Sequence, residues 1–164
     1  MTNYKEEIVD DFNVADVWEG LVWSPLPRNE KHFEWEKLDE QPGLYRARLL
    51  ERVEFNQVFH IGEQEISISA LEENAILSIG KTKDLKQRLS KQHFSGNSSG
   101  NRLGRHLAKI FPDNGKGHLS LTDIFNLDKV AIEYVIEECW WKRDLLESYG
   151  KVHHKCLFDL GVEH

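Results

Sequence analysis

Apolar and polar residues alternate over 44–50 (LYRARLL), placing Tyr45, Ala47 and Leu49 on one face and Leu44, Arg46 and Arg48 on the other, the pattern of a half-buried strand. Pro42-Gly43 just before it is a turn signal. A second alternation, Val130, Ile132, Tyr134 and Ile136, predicts another strand buried on one face. Between them Ala75, Ile76, Leu77 and Ile79 form a short, nearly continuous apolar run that reads as a buried strand ending at Gly80. The period then changes. Leu85 and Leu89 stand four apart and predict a short amphipathic helix ending near residue 93, and Leu103, Leu107, Ile110 and Phe111 predict a second over 102–111. Trp141, Leu145 and Tyr149, again four apart and joined by Leu146, predict a third from 140 to about 153.

The linking stretches are of different kinds. Val53, Phe55, Val58, Phe59, Ile61, Ile66 and Ile68 make 51–75 strand-rich, so this stretch predicts an enlarged sheet or an added hairpin. Residues 94–101 (FSGNSSGN) are small, polar and glycine-rich and predict a surface loop, and 112–117 end the second helix. Residues 1–41 carry eleven acids against four bases. Ile8, Val9 and Phe12 suit a short helix and 14–22 a second, while Trp23-Ser-Pro-Leu-Pro27 is expected to break any regular element. The aromatics of this acidic extension are expected to pack over the core. The prediction is one domain at 42–164 with the extension 1–41 packed on it. Its fold class is α/β of the α+β type, a small, mostly antiparallel central sheet flanked by helices.

Charge changes this picture locally. The chain of 164 residues has a net charge of −7, yet from Lys81 to His118 nine Lys and Arg stand against two acids. Such asymmetry is the footprint of a polyanion-binding face on an acidic body; the alternative is two solvated helix faces. Candidate nucleic-acid contacts are Lys83, Lys86, Lys91, His93, Arg102, Arg105 and Lys109. Cys139 and Cys156 stand at no recognised metal or disulfide spacing and read as reduced thiols. With an acidic N-terminus and no apolar run of about 18 residues, no signal peptide or membrane span is expected and a cytoplasmic location is. The run His153-His154-Lys155-Cys156 lacks a second ligand pair for Zn²⁺, and Gly115-Lys116-Gly117 lacks the rest of a phosphate loop.

Read together, PGLY at 42–45, SIGKTKDLKQRL at 78–89 and WWKRDLLESYG at 140–150 resemble the catalytic domain of the GIY-YIG nuclease superfamily. The resemblance runs from residue 42 to about 159. It implies that the strand bearing Tyr45 pairs with the strand ending at Gly80, usually through a connection shorter than the one here. It implies a Mg²⁺- or Mn²⁺-dependent nuclease, with Tyr45 as the base that activates water, Arg88 on the phosphate, Lys81 on the phosphate or beside Tyr45, and Glu147 as the metal-holding carboxylate. The chain departs from the pattern at three places: Ser78 stands where the second motif tyrosine belongs, Asp159 where a terminal asparagine belongs, and Gln92 where nuclease subgroups have a histidine that is here displaced to His93. Two functions follow. One is a metal-dependent DNA endonuclease; the other keeps the fold without catalysis, as a nucleic-acid-binding or protein-interaction module. A homodimer, or a protein partner on the acidic surface, is compatible with either.

Overall fold

The computed structural model describes residues 12–61, 63–93 and 124–156. In chain order the regular elements are α1 (Val14–Gly20), β1 (Ser24–Pro25), β2 (Gly43–Leu49), β3 (Val53–Ile61), β4 (Gln64–Leu71), β5 (Ile76–Thr82), α2 (Leu85–Gln87, continued by a π-helical stretch Arg88–His93), β6 (Val130–Ile136) and α3 (Trp140–His154). The fold is mixed α/β. Four strands form one antiparallel sheet in the order β1-β6-β2-β5, and β3 and β4 form a separate two-stranded hairpin. Of the two outcomes expected for 51–75, the added hairpin is the one found. The predicted helix at 102–111, the loop at 94–101 and the tail beyond 156 lie outside the described residues.

β2 sits between β5 and β6, and the alternation of its sequence sets what each face of the sheet buries. Tyr45, Ala47 and Leu49 pack with Leu85, Leu89 and Phe125 on one face, while Leu44 packs with Ile79, Leu146 and Trp18 on the other. Covering both faces explains why β5 reads as an apolar run: Ile76, Leu77, Ser78, Ile79 and Gly80 are all buried. The β2–β5 register shifts between Ala47 and Arg48, and this irregularity places Leu77 in the first cluster but Ile76 and Ile79 in the second.

Arg46 and Arg48 do not face open solvent. Their Nε atoms donate to Glu133 Oε1 at 2.9 and 3.0 Å, and Arg48 Nη2 donates to Oε2 at 3.1 Å. The Arg46 guanidinium also lies 4.3 Å from the Trp23 ring. Burial alone would raise the Glu133 carboxyl, but the bonds from Arg48 and Arg46 outweigh it and hold the group below the usual carboxylate range.

Two expectations are corrected. The Trp23–Pro27 region does not break all regular structure, because Ser24 and Pro25 pair with Tyr134 and Glu133 at the sheet edge. Proline is tolerated on an edge strand, where its missing N–H has no inward partner to lose. Leu145 is not part of the packed stripe of α3 and stands 39% exposed, while Leu146 and Gly150 are buried. Leu146 and Gly150, themselves four apart, lie on the buried line of the helix, and Leu145 stands about 100° around the axis from Leu146. Gly150 is required there: a Cβ would stand 2.4 Å from the Trp18 ring. Trp18, Phe33 and Leu38 of the acidic extension are all buried in the core. Both cysteines are free thiols, Cys156 buried and Cys139 half-buried.

Candidate active site

The strand pair that the resemblance implies is present, with Tyr45 directly opposite Gly80. The Tyr45 ring lies across the glycine so closely that a Cβ at 80 would stand 2.2 Å from its Cζ and from its hydroxyl oxygen. Tyr45 is 2% exposed. Ser78, also buried, stands opposite Ala47 and so on the Tyr45 face.

Beyond Gly80 the chain makes a tightly bonded turn. The Thr82 hydroxyl donates to Asp84 O at 3.1 Å and accepts from Asp84 N–H at 3.0 Å. Asp84 Oδ1 in turn caps α2 by accepting from Gln87 N–H at 3.0 Å, and Leu85 N–H donates to Gln41 O at 2.8 Å. Leu85 and Leu89, both buried, then anchor the helical stretch on the sheet and leave Arg88 half-buried between them.

A cleft of about 430 Å³ opens between this turn and the start of α3. Lys81, Lys83, Asp84 and Arg88 line one side of it. Trp140, Arg143 and Asp144 line the other. Lys81 Nζ is paired with the Asp144 carboxylate. Arg143 is committed to structure, its Nη1 donating to Glu137 O and Glu138 O at 2.9 Å each and so bracing the link from β6 to α3. Arg88 differs. Its Nε is buried and has no hydrogen-bond partner among the described residues, a costly state for a guanidinium N–H unless a ligand supplies the acceptor.

Of the four residues expected to act together, the cleft collects Lys81 and Arg88. Tyr45 and Glu147 are not among its lining residues. Lys81 stands opposite Leu44, on the α3 side of the sheet, whereas Tyr45 faces the α2 side. Glu147 follows Asp144 by one helical turn, is 16% exposed, and lies 3.8 Å from Lys151 Nζ. Lys83 lines the cleft, whereas Lys86 is half-buried and is not among the lining residues. Lys91 and His93 belong to the π-helical stretch, though their side chains are outside the described part, as are Arg102, Arg105, Lys109 and Asp159 entirely.

Sequence reading passed over Trp140, Arg143 and Asp144. One signal was available: Asp144 and Glu147 stand three apart on a helix and therefore on neighbouring positions of one face. No group of three or more His, Cys, Asp or Glu gathers among the described residues. Mg²⁺, however, prefers one or two carboxylates and takes its other oxygens from water and phosphate. Glu147 and, one turn away, Asp144 carry oxygens of that kind, but Asp144 is paired with Lys81, and Glu147 lies 3.8 Å from Lys151 and outside the cleft lining, so both would have to exchange a lysine for the ion.

No protein-family profile, no curated protein and no solved structure matches the chain.

Proposed function

We propose that this protein is a metal-dependent endonuclease that hydrolyses DNA phosphodiesters, built on a GIY-YIG-like sheet. The observation that carries the proposal is the Arg88 Nε, buried and without an acceptor among the described residues, on a side chain that lines a cleft with Lys81 and Lys83. A phosphate oxygen is the acceptor that such a group fits, and the fixed fork of a guanidinium suits it. Arg88 and Lys81 would hold the phosphate, and Lys81 would exchange Asp144 for it. Glu147 would hold Mg²⁺ or Mn²⁺, which supplies positive charge for the departing oxygen. Tyr45, which is covered and outside the cleft lining, would have to be uncovered and ionised to its phenolate before it could take the proton of the attacking water.

A specific observation favours a second reading. Tyr45 and Ser78 are each 2% exposed, so the hydroxyl assigned to water activation is covered. On that reading the same cleft binds nucleic acid without cutting it. Among the described residues no helix is long and apolar enough to cross a membrane, and neither reading calls for one.

The test is nicking of supercoiled plasmid and cutting of branched and single-stranded DNA, with Mg²⁺, Mn²⁺ or EDTA. Metal-dependent cleavage lost in Glu147→Gln and Arg88→Ala is the expected outcome. Salt-sensitive binding with no cleavage of any substrate, unchanged in Glu147→Gln, would replace the enzyme by the binding module.

A further inference from the structure

The lip of the cleft carries a large aromatic residue that the catalytic reading does not use. Trp140, the first residue of α3, is 60% exposed although it lines the same cleft as Lys83 and Arg88. The next residue, Trp141, is 4% exposed, so the helix start holds one buried and one displayed indole. Taken singly, an exposed aromatic side chain is common on protein surfaces. Beside cations it has a defined use: the flat face stacks a nucleobase while the cations take the adjoining phosphate.

The other charged groups at the cleft are engaged within the protein. Lys81 pairs with Asp144, Asp84 caps α2, and Arg143 braces the link into α3. Lys83 and Arg88 have no ion pair among the described residues and remain for a ligand. The volume, about 430 Å³, lies in the range of small-molecule clefts and suits a group of nucleotide size. In a duplex each base face is already covered by its neighbours, and exposing one costs unstacking. An unpaired base bears no such cost.

We infer that Trp140 and the cleft form a subsite for one unpaired nucleotide, its base stacked on the Trp140 indole and its phosphate held by Arg88 and Lys83. This rests on the nucleic-acid reading above and narrows the substrate class to single-stranded or locally unpaired DNA, such as a flap, bubble or frayed end.

The subsite is tested by binding of a fluorescently labelled single-stranded oligonucleotide, and of the duplex of the same sequence, in EDTA. The wild-type protein is expected to bind the single strand more tightly than the duplex. Trp140→Ala is expected to weaken single-strand binding by roughly 5- to 150-fold with an unchanged salt slope, Trp140→Phe to keep most of the affinity, and Arg88→Ala to weaken both ligands and flatten the slope. Equal binding of single strand and duplex by the wild type, or wild-type affinity in a folded Trp140→Ala protein, overturns the subsite. Because EDTA removes cleavage from the readout, the two proposals fail separately. Cleavage of intact duplex, with single-strand binding indifferent to Trp140, leaves the nuclease and sinks the subsite; Trp140-dependent binding without cleavage under Mg²⁺ does the reverse.

Discussion

Tyr45 and Gly80 show how a single pair of residues ties the two ends of the candidate motif together. The ring occupies the space that any side chain at 80 would need, and the ring is itself enclosed, so it has no free direction in which to yield. Gly80→Ala is expected to cost about 1–3 kcal/mol through overpacking, read as a lower midpoint in thermal or denaturant unfolding. An unchanged midpoint would mean that the ring swings away freely. The apolar run into Gly80 was legible as a strand, though the strand continues two residues further to Thr82, and the alternation over 44–50 correctly put Tyr45 with Ala47 and Leu49. What was not legible is that the Tyr45 face is closed. Leu85, Leu89 and Phe125 close it, and they come from 40 to 80 positions away in the chain, beyond the reach of any local pattern.

Among the elements, the β3–β4 hairpin is the clearest addition. It forms its own two-stranded sheet, and its described contacts with the main core come from the half-buried Val53, Ile68 and Leu71. Asn56 and Asn74, with φ of 46° and 68°, accommodate the left-handed backbone within β3 and in the turn leading into β5. Replacing 53–71 by a short turn is expected to leave the four-stranded sheet folded and to cost about 2–4 kcal/mol, the share of three half-buried aliphatic side chains. Circular dichroism and a single cooperative unfolding transition would check this. Loss of cooperative folding would show instead that the hairpin is needed to hold β2 and β5 in register. The strand content of this stretch was legible from its β-branched and aromatic residues; its separation from the main sheet was not, because backbone pairing partners are chosen by the available edges and not by composition. The same limit applies to β1. Pro25 and the nearby Pro27 spoke against regular structure, and only the open edge of β6 made a two-residue pairing possible.

Across the whole molecule, stability is expected to depend on pH through two groups that join distant segments. Trp18 Nε1 donates to His154 Nε2 at 3.3 Å, which requires that nitrogen to be unprotonated. Burial, then the charges of His153 and Arg46, push the His154 pKa below its ordinary value, opposed by Glu19. A histidine with a lowered folded pKa binds fewer protons folded than unfolded. Its contribution is therefore complete above about pH 6.5 and is lost as pH falls through the folded value. Glu133, also lowered, behaves in the same direction at more acid pH: its contribution is present above the ordinary carboxylate range and is lost as pH falls through its folded value. Denaturant midpoints are thus expected to decline in two stages from pH 7 downward, and His154→Gln to flatten the first stage only. A wild-type profile that is level between pH 7 and pH 5 would remove His154 from the docking of α1 on α3.

The sequence by itself determined the mixed α/β class, three strands of the central sheet, which residues of β2 share a face, the turn into α2, the extent of α3 and the order of the motif-like segments. These rest on period and on turn chemistry, which act over a few neighbouring residues and are written directly in the chain. Only the tertiary structure decided that Arg46 and Arg48 are spent on Glu133, that Lys81 is held by Asp144, that Tyr45 is covered, and that Trp140 stands open beside Arg88. Each of these depends on which distant side chain arrives within a few ångströms, and that is fixed by how sheet faces and helices pack, not by the spacing of residues along one strand or helix.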